Sequence, residues 1–273
     1  MSKKTWLITG ASSGFGRQLA AEVLRRGDAV IGTGRNEENL SALAAEHPGI
    51  TTVVADIGTA EGVALIAAAV HDAGGIDVLV NNAGYGVFGS VEQVPEKTVR
   101  AVFETHVFAP LSLVRATLPY LRARRGRIIN LSSELGAYAW PGSALYSASK
   151  SALELISEAL TLELAPTGVT ATAIQPGTYG TGFITNAVVE LPDEVYAPTI
   201  GAVLGRVSQL APEDLGDPRD VVKAILYVAD MEEPPVRLAV GQEALTTIRE
   251  SLERQLDELS RAGDFTESLP KRG

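Results

Sequence analysis

Short apolar blocks alternate along this chain with stretches of helical spacing. Residues 5–9, Thr-Trp-Leu-Ile-Thr, read as a buried strand that runs straight into a glycine-rich turn. Phe15, Leu19, Val23 and Leu24 then share one helical face, and Gly27 supplies a stop. The same alternation predicts strands at 29–33, 51–55, 77–81, 127–131 and 169–174. Helices are expected at 39–46, 59–73, 95–124 and 144–164; Pro95 suits a first turn, and Pro110 and Pro119 are points where the third of these can bend. Strand–helix alternation with short connections implies parallel βαβ units, hence an α/β, doubly wound sheet with helices on both faces.

Between 177 and 216 the periodicity is lost. A stretch of that length in a compact chain is uncommon and reads as a disordered linker or a functional lid, the lid near 182–211. Asp217-Pro218 restarts regular structure, with Asp220 placed as in a capping box. Leu245, Ile248, Leu252, Leu256 and Leu259 form the stripe of a C-terminal helix near 242–262, fit for core or subunit contact. Its polar face is too poor in basic residues to seek a membrane surface. No linker or repeat interrupts the chain, so 1–273 is expected to form a single domain.

Composition removes several function classes. The 273 residues are 45% hydrophobic and 21% charged, enough apolar material for a large core without staples. The absence of cysteine excludes disulfides, thiolate nucleophiles and Cys-ligated metals, and no metal site is expected. A formal charge of −10 argues against a nucleic-acid partner. The apolar run behind Lys3 and Lys4 is only Trp6-Leu7-Ile8, and the longest elsewhere is 63–70, so neither a signal-peptide core nor a membrane span is read. A cytoplasmic protein without membrane partners is the expectation.

Three motifs carry chemistry. Thr9-Gly10-Ala11-Ser12-Ser13-Gly14-Phe15-Gly16 lies between a strand and a helix, where glycines admit a pyrophosphate to the backbone and the helix N-terminus favours its charge. The same residues satisfy G-x-S-x-G, the nucleophile elbow of serine hydrolases. That reading requires an acid and then a histidine downstream, and His106 is the last of the three histidines. Asn81-Asn82-Ala83-Gly84 closes the fourth strand, at the end where doubly wound sheets bind ligands. Tyr146 and Lys150, four apart, share a helix face, and a cation there can stabilise a phenolate. Ser133 lies just beyond a strand end upstream, placed to bond a substrate oxygen. Glu134 beside it is a lone polar feature with no role assigned.

Taken with Asp56 and Pro176-Gly177, these motifs resemble the short-chain dehydrogenase/reductase family in order and spacing over about residues 5–240. The resemblance implies a Rossmann-type sheet of about seven parallel strands, followed here by a C-terminal helical extension. It implies that Tyr146 is the catalytic acid/base, that Ser133 polarises the carbonyl, and that Lys150 holds the nicotinamide ribose while lowering the tyrosine pKa. Gly10, Ser12, Ser13, Gly14, Phe15 and Gly16 would hold the pyrophosphate, and Asp56 and Ile57 would flank the adenine. Asn82, Ala83 and Gly84 would line the cleft, Pro176 and Gly177 would bind the cofactor, and Thr181 would contact it near its carboxamide or phosphates. A homodimer or homotetramer through the helices near 95–124 and 143–165 is implied as well.

One position departs from the family. Its asparagine in Asn-Val-x-Gly-Pro is replaced by His106-Val107-Phe108-Ala109-Pro110. His106 either preserves the proton relay through its carbonyl, exchanges protons itself, or only packs. Cofactor choice turns on Thr33-Gly34-Arg35-Asn36: Gly34 stands where NAD-dependent relatives place an acid, and Arg35 can pair with a 2′-phosphate. Ser13 stands where many NADP-dependent relatives carry a second basic residue. NADP is the expected cofactor, with NAD the alternative.

The expected activity is hydride transfer between NADP(H) and a carbonyl or secondary alcohol of a small, largely apolar substrate. Tyr85, Phe88, Trp140, Tyr179 and Phe183 are expected to border the cleft. The alternative is a non-catalytic, dinucleotide-sensing regulator, against which an intact Ser133, Tyr146 and Lys150 weigh.

Overall fold

The structure, a computed structural model, describes residues 3–270. Its first half runs β1 (Thr5–Thr9), α1 (Gly14–Arg25), β2 (Ala29–Gly34), α2 (Glu37–Glu46), β3 (Thr51–Val54), α3 (Ala60–Asp72), β4 (Val78–Asn81) and a two-residue β5 (Val87–Phe88). Then come α4 (Glu96–Phe103), α5 (Ala109–Arg124), β6 (Arg127–Leu131), α6 (Ala144–Leu164), β7 (Thr170–Pro176) and a two-residue β8 (Val188–Val189). The chain ends with α7 (Ala202–Ser208), α8 (Pro218–Asp230), β9 (Arg237–Val240) and α9 (Gln242–Ser268).

Seven parallel strands form one sheet in the order β3-β2-β1-β4-β6-β7-β9. The chain builds outward from β1 to β3, then crosses back to lay β4 on the other side of β1. That reversal opens a crevice beyond the strand ends, where ligands of doubly wound sheets bind. The period of two sorts β1 between two cores. Trp6 and Ile8 join Leu19 and Val23 of α1 and Ile225 of α8, while Leu7 joins Ile66 of α3 and Leu113 of α5. Burial on both faces explains the unbroken apolar strand sequences. Each such side chain contributes about 1.5–3 kcal/mol over an exposed one.

Several elements differ from their expected form. The expected helix 95–124 is broken by a π-helical turn over Glu104–Phe108, between α4 and α5. There the Ala109 N–H reaches the Glu104 carbonyl, and Pro110, having no N–H, cannot bond the His106 carbonyl one turn back. Helix α2 begins two residues early because the Asn36 side chain accepts from the Asn39 N–H at 2.8 Å. The stretch 177–216 is neither structureless nor a linker. Strand β8 pairs in parallel with β5 (Val87↔Val188, Phe88↔Val189), α7 follows, and the Tyr196 hydroxyl donates to Glu92 at 2.6 Å.

Strand β9, unread in the sequence, completes the sheet edge. Helix α9 runs six residues past the expected end. Of its stripe only Ile248 is buried, Leu252, Leu256 and Leu259 being exposed. Among the described residues, no helix is long and apolar enough to cross a membrane.

Candidate active site

The crevice beyond β1 and β4 is walled first by the β1–α1 loop. Gly10 and Gly14 adopt φ of +67° and +53°, which other residues rarely take. Gly16 faces away from the crevice and lets α1 close on the loop: a Cβ there would stand 2.3 Å from the Gly10 carbonyl oxygen. Asn82 braces the loop from β4, its Nδ2 donating to the Thr9 carbonyl at 2.7 Å. The Asn82 and Ala83 amides donate to the Thr9 hydroxyl at 2.9 and 3.0 Å. Ser13, at the start of α1, makes no side-chain cap, which leaves first-turn amides for an anion.

At the β2 end, Arg35 is exposed, its Nη1 3.9 Å from the Asp56 carboxylate. Ile57 is buried alongside. One cavity of about 1520 Å³ takes in every expected contact residue except Gly16 and His106, together with all five expected aromatic side chains. A single small-molecule pocket measures about 300–1,000 Å³, so this volume suits a dinucleotide and a second ligand together. The glycine cradle, the uncapped helix start and the exposed guanidinium fit the phosphates of such a cofactor.

Tyr146, on α6, faces the crevice from the opposite wall. Its ring lies 5.6 Å from those of Phe88 and Phe183, and Phe88 stacks on Trp140 at 5.2 Å. Burial pushes the phenol above its ordinary pKa, against a lowering pull from the Ser133 hydroxyl. Ser133 follows β6 in extended conformation, and its Oγ accepts from the Leu135 N–H at 3.2 Å. Lys150, one turn beyond Tyr146, donates to the Leu131 carbonyl at 2.6 Å, with Nζ 5.6 Å from the phenol ring centre. Burial lowers its pKa to about 8. The ammonium is thus held by a strand end rather than by the phenol.

His106 lies behind the cavity, in the π-helical turn. Its Nε2 accepts from the Tyr85 N–H at 3.2 Å, so Nδ1 carries the proton and donates to the Ser149 hydroxyl at 2.9 Å. Ser149 in turn donates to the Tyr146 carbonyl at 2.7 Å. Burial, reinforced by Lys150, holds the imidazole well below its ordinary pKa. Both ring nitrogens are occupied, which leaves a neutral ring bracing α6. Gly84 is required for that approach, since a Cβ on it would lie 2.9 Å from Nε2.

A second brace went unread in the sequence. Buried Glu154 accepts from the Ser132 hydroxyl at 2.6 Å, from Gln175 Nε2 at 3.0 Å and from Arg237 Nε at 3.3 Å. It ties the residue before Ser133 to α6, β7 and β9. The available signal was an acid four residues after Lys150 on the same helix face.

A dinucleotide crevice faced by a serine hydroxyl, a buried tyrosine and a lysine defines the class: a Rossmann-type, NAD(P)-binding oxidoreductase. Known proteins agree. The family model described as short chain dehydrogenase matches residues 4–190. A 3-ketodihydrosphingosine reductase of Bacteroides thetaiotaomicron is 37% identical over 246 residues, covering 88% of this chain and 89% of that protein. Among solved structures, a short-chain dehydrogenase from Streptomyces avermitilis is 37% identical with a TM-score of 0.90, covering 98% of this chain and 99% of that one. A short chain dehydrogenase from Burkholderia cenocepacia in complex with NADP is 27% identical with a TM-score of 0.75, covering 95% and 97%. The chain belongs to the short-chain dehydrogenase/reductase family.

Proposed function

We propose that this oxidoreductase moves a hydride between NADP(H) and a carbonyl or secondary alcohol of a largely apolar substrate, with Tyr146 as the acid/base. The observation that carries the reading is the setting of the Tyr146 phenol: buried, beside Ser133, and ringed by Phe88, Trp140 and Phe183. A bound nicotinamide supplies or accepts the hydride. In reduction, the Ser133 hydroxyl holds the substrate oxygen and the Tyr146 hydroxyl gives it a proton as charge develops there. Lys150 binds the cofactor ribose and favours the phenolate left behind. The His106 carbonyl, which Pro110 cannot bond, supplies an acceptor for a relay water, while the ring only positions α6. The matching reductase of a keto compound supports the reducing direction. Incubation with NADPH and a panel of apolar ketones should consume cofactor and yield secondary alcohols; no turnover across the panel and in the reverse reaction would defeat the reading.

The segment 182–211 acts, on the same reading, as a lid. Phe183 packs on the Phe88, Leu135 and Tyr146 cluster, Leu191 is left exposed, and β8 and Tyr196 give the segment attachments that can close and open. Its backbone amides should exchange more slowly once substrate joins the cofactor complex. Identical protection before and after substrate would rule a moving lid out. Exposed Leu155 and Leu162 on α6 and Phe108 support self-association as a homodimer or homotetramer through these helices.

A further inference from the structure

We propose that the substrate carries a long unbranched alkyl tail on its reacting carbon, and that Gly205 opens the passage this tail follows beneath 182–211. The proposal rests on the hydride-transfer reading above and names the class of compound that reading acts on. The catalytic cavity does not end at Tyr146. It continues between β8 and α7, where Val188, Val189, Leu191, Leu204, Val207 and Leu210 belong to its wall. Leu204 packs on the cluster of Phe88, Leu135 and Tyr146, so the passage starts at the phenol that serves the reacting carbon.

Among the described residues, the segment 182–210 gives the wall of this passage no charged side chain. Arg35, Asp56 and Lys150 stand in other parts of the cavity. Asn186 and Ser208 are the polar side chains of the passage, and both turn back on their own segments. Asn186 Nδ2 donates to the Gly182 carbonyl at 2.8 Å, and the Ser208 hydroxyl donates to the Gly205 carbonyl at 2.9 Å. At the outer end Val188, Val189, Leu191 and Leu210 are exposed, a run of apolar surface continuous with the catalytic cavity. Such a wall fits a flexible hydrocarbon and offers little to a sugar, a phosphate or a carboxylate.

Gly205 is the position that keeps the passage open. Leu204, Gly205 and Ser208 share one face of α7, Ser208 lying four residues after the first and three after the second, and that face lines the cavity. A Cβ on Gly205 would meet no atom within 4 Å, so packing does not demand glycine there. Its φ is not left-handed, so the backbone does not demand it either. Glycine weakens a helix interior relative to alanine, and what it provides at 205 is open space beside Leu204. A bulky side chain at this position would project into that space and leave room for a shorter tail.

The test uses the full chain with its preferred reduced cofactor and a series of methyl ketones whose other substituent is an unbranched alkyl group of increasing length. In wild type kcat/KM should rise about two- to fourfold with each added methylene, through KM rather than kcat, until the tail reaches the outer end. Gly205→Leu should cut the ratio of kcat/KM between the longest and shortest ketones by about ten- to a hundredfold. Gly205→Ala, which favours the helix and so keeps the test readable should the leucine variant misfold, should cut the ratio less. A flat wild-type profile, or no turnover of the series while other ketones of the panel react, would overturn the proposal. So would a ratio unaltered in both variants, including the case where short and long ketones lose rate in parallel. Inactivity toward every ketone, and in the reverse reaction, would instead bring down the hydride-transfer reading and this proposal with it.

Discussion

Tyr146→Phe should leave a folded, cofactor-binding protein whose reductase turnover falls by about 10³–10⁴-fold, the range general acid catalysis commands. The substitution removes one hydroxyl and nothing else from the wall. The ring contacts with Phe88 and Phe183 at 5.6 Å persist, and α6 stays pinned through the bond between the His106 ring and the Ser149 hydroxyl. What disappears is the proton donor that meets the developing alkoxide. Because burial holds the phenol above its ordinary pKa, it is protonated at neutral pH, the form that reduction consumes. Wild-type reduction should therefore vary little with pH through neutrality, whereas alcohol oxidation, which needs the phenolate, should quicken as pH rises. Rapid-quench turnover and cofactor fluorescence separate chemistry from binding. Turnover in Tyr146→Phe close to wild type would remove Tyr146 from the mechanism.

The sheet was legible because its signals are local. Each central strand is a short apolar run closed by its own turn residues, and burial on two faces leaves little room for another period. The glycine loop, Asn82 and the Tyr146–Lys150 pair were legible for a similar reason: each motif sits at a junction that the strand pattern itself locates. What escaped depends on partners far apart in the chain. The π-helical turn needs Pro110 to withhold a donor and Ser149, on α6, to draw in the His106 ring. Nothing in the sequence around 104–108 reports that second condition.

The Glu154 brace shows the same limit, since its partners come from the loop after β6, from β7 and from β9, and its burial is visible only once they meet. Strands β5 and β8, at two residues each, are too short to carry a period, so 177–216 looked structureless although β8 and α7 order part of it. For Lys150 the motif implied a cation acting on the phenol. The Leu131 carbonyl at 2.6 Å, an acceptor exposed where β6 ends, competes for the same ammonium.

Arg35 sets the second large effect, on cofactor choice. NADPH should be preferred to NADH in kcat/KM by about ten- to a hundredfold, and Arg35→Ala should erase most of that preference. The guanidinium stands at the β2 end on an exposed side chain, in the wall of the cavity, so reaching a 2′-phosphate costs it little desolvation. Asp56 competes for it, yet an exposed pair at 3.9 Å contributes about 0–1 kcal/mol, whereas a bond to a charged phosphate contributes about 1.5–3 kcal/mol. The phosphate is therefore expected to win that exchange. Gly34 adds a second reason: no carboxylate at that position repels the phosphate or claims the ribose hydroxyls. Removing Arg35 should raise the KM for NADPH while leaving NADH little altered, because only the phosphate loses a partner. Steady-state kinetics with both cofactors check this, and a wild type that favours NADH, or an NADPH preference that survives Arg35→Ala, would refute the assignment without touching the role of Tyr146.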